Sequence, residues 1–255
     1  MRPVVIKIGG GILAGGALED LPDLLSAGHR VVIVHGGGLQ LTRVLDALGI
    51  ATRFHEGLRV TDEETIEVAE NVFAGGVNKG LVRGLGDLGV QAAGISGTDG
   101  PTLLVEPVPD LGRVGRVVRV GPQLIEALWA GGFVPVVAPL GLGPEGAYNV
   151  NADSAAAALA VGLGAGYLFL LTDVDGLLKD GSPVEALAPG ECEEYVASGL
   201  AAGGMVPKLR AAASAARGRV EARILNGNRK GALGAAVAGE RVGTLISEGV
   251  AACKQ

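Results

Sequence analysis

The chain has 255 residues, 48% of them hydrophobic and 3% aromatic, with 44 glycines and a formal net charge of −6. That length suits one large domain or two lobes on a shared core. An acidic chain without a dense basic stripe argues against nucleic acid as a partner, and no apolar run is long enough to span a bilayer.

The first predicted strand is Val4–Ile8, with Lys7 in its interior, and it runs straight into glycines 9–11. The second covers residues 31–34 and ends in His35 and glycines 36–38. Aligned on their glycines, the two stretches set Lys7 beside Val34, so the scaffold repeats and the lysine does not. Glycine after a strand lets the backbone turn tightly and approach a ligand, and the amides of a following helix face an anion. Two such turns on adjacent parallel strands share the sheet edge where open α/β folds bind ligands. Lys7 then points into the space between them, which predicts an anion site.

Leu41, Val44, Leu45 and Leu48 recur at helical spacing after the second turn. Arg59 suits bidentate carboxylate recognition and stands just before Thr61, which reads as an N-cap followed by three acidic residues. The helix beginning there carries Ile66, Ala69 and Phe73 on one side. Residues 103–105 and 114–120 read as a hairpin laid over one end of the sheet, with Arg113, Arg116 and Arg119 on a solvated face. After a strand at Val134–Ala138, "GLGPEG" (141–146) fits a dinucleotide fingerprint but contains proline and no helix follows at once, so it reads as a loop. A soft lobe boundary is placed at 141–147.

In "YNVNAD" (148–153), Asn149, Asn151 and Asp153 alternate, so an extended segment aims all three one way, and Asp153 is placed to cap an alanine-rich helix. The strand 167–171 ends in "TDVDG", where Asp173 and Asp175 could hold magnesium through water or orient a lysine; Asp175 alone reads as a solvated turn. "GGMVPKL" puts Lys208 at a helix start, against the macrodipole, a conflict that a bound polyphosphate would remove. An alanine-rich run (209–216) and a strand at 222–225 follow. Strands alternating with helices predict an α/β fold, a mostly parallel central sheet with helices on both faces. No P-loop occurs. His29 reads as exposed, His55 as a loop residue and His35 as a structural hydrogen-bonder, so no triad is legible. Cys192 and Cys253 form neither a metal spacing nor a disulfide framework, and no signal peptide is read at the start, which together predict a cytoplasmic protein.

In this order "VIKIGGGIL", "VIVHGGGLQ", "FHEGLRVTDEETIEVAENVFAGGVNKGLV", "GISGTDG", "DLGRVGRV", "GFVPVVAPLG", "YNVNADSAAAALA", "LLTDVDGLL" and "GGMVPKL" cover nearly the whole chain, and the combination resembles the amino-acid kinase family. "GLRVTDEE", "NVNAD" and "GMVPK" are its most specific parts. The resemblance implies a three-layer sandwich in two lobes, residues 1–145 binding an amino acid and dimerising, and 146–255 binding ATP. It implies transfer of the ATP γ-phosphoryl, with Mg²⁺, to the side-chain carboxylate of N-acetyl-L-glutamate in arginine biosynthesis, by a homodimer. Lys7 and Lys208 match lysines that stabilise the migrating phosphoryl group, and Asp153 the aspartate that organises them. Gly37, Gly38, Arg59 and Asn149 match the amino-acid site. Gly10, Gly11, Thr172, Asp173, Gly176 and Met205 match the nucleotide site. A carboxylate nucleophile is already ionised, so no general base is needed. The first strand starts almost at Met1, where arginine-inhibited members carry an extra helix, so arginine insensitivity is expected. Two alternatives remain within the scaffold: a kinase for aminoadipate or glutamate tethered to an acidic carrier, and a non-catalytic sensor.

Overall fold

The short runs rich in valine and isoleucine lie side by side in one sheet. The computed structural model describes residues 2–9, 16–179 and 181–249. The sheet has eight strands, β1 (Val4–Ile8), β2 (Val31–His35), β3 (Ala92–Ser96), β4 (Val134–Ala138), β5 (Tyr167–Thr172), β6 (Ala186–Leu187), β7 (Glu221–Asn226) and β8 (Thr244–Ile246). Their order is β6-β8-β7-β5-β1-β2-β4-β3. Every joint is parallel except β7–β8. All residues of β1, β2 and β4 are buried, as a parallel sheet covered on both faces requires.

The pleat divides the core in two. Val4, Ile6 and Ile8 pack with the helices Leu21–Ser26, Asn78–Asp87 and Ala232–Val237. Val5 and Val34 face the other way, toward α2 (Ala152–Gly162) and α3 (Met205–Arg217). Both of these helices bury alanines: Ala155, Ala156, Ala157 and Ala160 in α2, and five between Ala211 and Ala216 in α3. Alanine is the best helix former and the smallest side chain that supports one, so the two helices approach each other and the sheet closely. A third cluster joins Leu41 and Leu45 of α1 (Gly38–Leu48) to Ile66, Ala69 and Phe73. Val44 and Leu48, on the same predicted stripe, are exposed. Among the described residues no helix is long and apolar enough to cross a membrane.

A smaller four-stranded sheet covers one end. It contains the expected antiparallel pair, Leu103–Pro107 with Gly115–Val120, flanked by Leu140–Gly143 and Gly146–Asn149. The "GLGPEG" stretch is therefore a hairpin with Pro144 and Glu145 at its tip, not a loop, and the proposed lobe boundary falls inside it. The sequence misses this because glycines at 141, 143 and 146 weaken any strand pattern. Gly143 is required there, since a Cβ would lie 2.5 Å from the Tyr148 ring.

Helix starts are also displaced from expectation. Asp62, not Thr61, caps Glu63–Glu70 by accepting from the Thr65 amide at 2.9 Å. Thr61 is fully buried and donates to the Arg59 carbonyl. Asn151, not Asp153, caps α2, accepting from the Asp153 and Ser154 amides. The 149–153 segment is thus a strand end followed by a helix start rather than one extended run. His29 is half-buried, and His55 lies in a two-residue strand. Arg113 leaves the solvated face: it pairs with Glu63 at 2.7 Å and with Glu145, and stacks over Tyr148. Arg116 pairs with Glu106 on the surface, and Arg119 is exposed.

Phe169, fully buried at the centre of β5 and stacked on Tyr167, tests this packing. Phe169→Ala should lower stability by about 3–5 kcal/mol in urea unfolding with an unchanged m-value.

Candidate active site

Lys7 occupies the middle of a row of apolar neighbours, Val34 on β2 and Leu170 on β5. Strand alternation turns its side chain to the face covered by α2. There its ammonium meets Asp153 Oδ1 at 3.0 Å. Asp153 sits in the first turn of α2, where the helix dipole favours a carboxylate. Its other oxygen lies 3.7 Å from Lys208 Nζ, in the first turn of α3. Both carboxylate and ammonium side chains are at most 12% exposed. Burial, then the neighbouring Lys7 charge, pushes the Lys208 pKa below its ordinary value, against the pull of Asp153. One carboxylate therefore holds two desolvated cations, one from a strand and one from a separate helix.

Beside this bridge opens a cavity of about 400 Å³, lined by Lys7, Asp153, Arg59, Asn149 and glycines 36–38. Gly37 caps α1 and Gly38 opens it, so the free amides of its first turn lie beside the cavity. Gly37 admits no side chain, because a Cβ would stand 2.8 Å from the Phe73 ring. Arg59 is held on three sides: it donates to Thr52 Oγ1 (2.9 Å), Thr42 Oγ1 (2.6 Å) and the Gly38 carbonyl (3.1 Å), and it stacks on Phe54. Asn149 donates from Nδ2 to Thr61 Oγ1 at 3.1 Å. Phe54, Leu58, Phe73 and Val114 supply an apolar wall.

The residues expected on the nucleotide lie on the other flank of β1. Thr172 ends β5 and donates to Asp173 Oδ1 at 3.2 Å. Gly176, at φ 125°, abuts Thr244, and Met205 opens α3. None of these four lines the Arg59 cavity. Asp173 and Asp175 are exposed, and Asp175 accepts from Asn226 Nδ2. Gly10 and Gly11 lie outside the described residues. Among the described residues no three histidine, cysteine, aspartate or glutamate side chains gather as a metal cage. A magnesium ion that arrives bound to nucleotide phosphates needs no such cage.

The arrangement is a phosphate-sized positive centre on the middle strand, with an amino-acid-sized cavity on one side and a glycine turn on the other. A profile described as the amino acid kinase family matches residues 2–226. The chain belongs to this family. Its similar sequences include an acetylglutamate kinase of Rubrobacter xylanophilus, 72% identical over 248 residues that cover 97% of this chain and 98% of that one. Another, from Kosmotoga olearia, is 40% identical and covered over 96% and 91% of the two chains. Among solved structures, smu.665 of Streptococcus mutans superposes with a TM-score of 0.86 at 28% identity, over 96% of this chain and 98% of that one.

Sequence reasoning overlooked the contacts that hold Arg59, Asp153 and Gly37 in place. Thr42 and Thr52 fix Arg59, Asn151 frees Asp153 from capping, and Phe73 presses on Gly37. One signal was available: in "NVNAD" Asn151 stands ahead of Asp153 on the approach to the alanine-rich run, and asparagine caps as well as aspartate.

Replacing Asp153 by Asn should expose the electrostatic role. Removing one member of a buried ion pair costs about 3–5 kcal/mol. Urea melts should show that loss, and pyrophosphate should raise the Tm of the variant more than that of wild type. An equal rise in both would mean that Asp153 does not neutralise the two lysines.

Proposed function

We propose that the protein transfers the γ-phosphoryl group of MgATP to the side-chain carboxylate of N-acetyl-L-glutamate, a step of arginine biosynthesis. The observation that carries this reading is the convergence of Lys7 and Lys208 on Asp153 beside the Arg59 cavity. The near full-length likeness to an acetylglutamate kinase supplies the substrate.

In the reaction a carboxylate oxygen attacks the γ-phosphorus, the bond to the ADP oxygen breaks, and an acyl phosphate forms. No proton moves, so no base is needed. The barrier is repulsion between an anionic nucleophile and an anionic donor, and catalysis rests on alignment and charge neutralisation. Lys7 and Lys208 contact the migrating group from both sides, while Asp153 holds them in place between turnovers. Arg59 and Asn149 grip the α-carboxylate end, and the Gly37 and Gly38 amides hold the acceptor. The apolar wall of Leu58 and Val114 suits the acetyl group. Thr172, Asp173, Gly176 and Met205 border the nucleotide, with Gly10 and Gly11 at its phosphates. Residues 1–145 supply most of the amino-acid site and 146–255 most of the nucleotide site, with Asn149 crossing to the acceptor and Gly10 and Gly11 to the phosphates. The proposal extends to Mg²⁺ as the companion of ATP and to a homodimer, both drawn from the family resemblance, and to a cytoplasmic location, drawn from the cysteine usage.

Hydroxylamine should trap the acyl phosphate as a hydroxamate with N-acetyl-L-glutamate; product only with glutamate, aspartate or a carrier-linked acceptor would reassign the substrate. Lys7→Ala and Lys208→Ala should each lower kcat about 10²–10³-fold, as for loss of one transition-state donor. Arg59→Ala should raise the KM for the amino acid about 10–100-fold, the worth of a charged hydrogen bond, with little change in kcat.

The pH dependence follows from the Lys208 shift. Lys208 acts protonated, and its pKa lies below the ordinary 10.5. Full kcat/KM is therefore expected below the lowered pKa, with loss as pH rises through it. An alkaline limb no earlier than that of an unperturbed lysine would contradict this.

A further inference from the structure

Two buried residues, His35 and Asn78, take no part in the chemistry above, and Asn78 directly follows the π-helical segment Asn71–Val77, of which Phe73 and Val77 are buried. π turns recur at functional sites, and this one joins two α-helices. It presents Phe73 to Gly37 and, at its end, Asn78 to His35.

The hydrogen bonds admit one assignment. Lys79 Nζ can only donate, and it donates to Asn78 Oδ1 at 3.2 Å and to the Gly94 carbonyl at 2.9 Å. Asn78 Nδ2 therefore faces inward, toward His35 Nε2 (3.1 Å) and the Val136 carbonyl (2.9 Å). Because Nδ2 donates, Nε2 must accept, and the ring proton sits on Nδ1. The far side of the ring agrees independently, since Nδ1 lies 2.7 Å from the Gly36 carbonyl, which can only accept. The Gly36 amide is tied to the Ile8 carbonyl at 2.8 Å. In a trans peptide the Gly36 carbonyl and the Gly37 N–H point in opposite directions. Pinning the carbonyl toward His35 aims the Gly37 amide away from it.

We propose that Asn78 and His35 are positioning residues, a neutral relay that pins the Gly36 carbonyl and so points the Gly37 amide at the anionic acceptor. The inference rests on the amino-acid site assigned above. Burial, with the charge of Lys79, lowers the His35 pKa to about 4, so the relay keeps one state through neutral pH. β1 turns Ile8 rather than Lys7 to this side, and β3 and β4 contain no titratable residue. Gly94 belongs to the same device, because a Cβ there would collide with Asn78 Oδ1.

The test compares three variants by steady-state kinetics. His35→Leu removes both bonds and should raise the KM for N-acetyl-L-glutamate about 10-fold or more, with kcat and the KM for ATP within about threefold. His35→Asn keeps a donor at the Nδ1 position and should restore most of that KM. His35→Gln keeps polarity only near Nε2 and should not. An unchanged KM in the leucine variant, a parallel loss in every parameter, or equal rescue by glutamine overturns the relay. Should the leucine variant not fold, ¹⁵N NMR of the wild-type ring decides: an Nδ1–H tautomer that does not titrate between about pH 5.5 and 8 is expected. An Nε2–H tautomer or titration in that range overturns it. Absence of hydroxamate from wild type would refute the substrate assignment instead, and the NMR result would still judge the relay.

Discussion

Two ammonium groups withdrawn from water onto a single carboxylate set the terms for the rest of this structure. Each cation gives up several kcal/mol of hydration, and one carboxylate between them recovers part of it. The fold must therefore bring three side chains from β1, α2 and α3 to within about 4 Å of one another and keep them there. The alanine-rich faces of α2 and α3 answer that demand. Bulkier side chains between the helices would separate Asp153 from Lys208. Asn151 contributes by capping α2 itself, which leaves the Asp153 carboxylate free to turn inward.

The sheet order explains why the three charges gather at this place. β1 lies between β2 and β5, so the turn after β2 and the turn after β5 flank the lysine on opposite sides. A donor bound over one turn and an acceptor over the other would meet above Lys7. The same order accounts for a cation in an otherwise apolar strand: only the central strand looks toward both turns.

Much of this was legible in the residues. Doubly buried parallel strands read as continuous runs of valine and isoleucine, and the predicted strands at 4–8 and 134–138 match the observed ones residue for residue. Lys7 and Lys208 stood out because each broke a local preference, and Asp153 because it alternated with Asn149 and Asn151. What stayed hidden was of two kinds. Caps were misplaced by one or two residues, since Thr61 and Asp62, like Asn151 and Asp153, are both able to cap, and tertiary contacts decide between them. Long-range partners were invisible: Thr42 and Thr52 reach Arg59 across 17 and 7 residues, and Asn78 meets His35 across 43.

The half-neutralised state of the resting centre bears on which solutes can occupy it. With Asp153 already cancelling one of two positive charges, a chloride or bicarbonate ion gains little by entering. A polyanion brings enough charge to draw both ammonium groups at once. Such a centre can stay vacant amid abundant small salts and still be filled by a triphosphate, a form of selectivity that arises from charge count instead of shape.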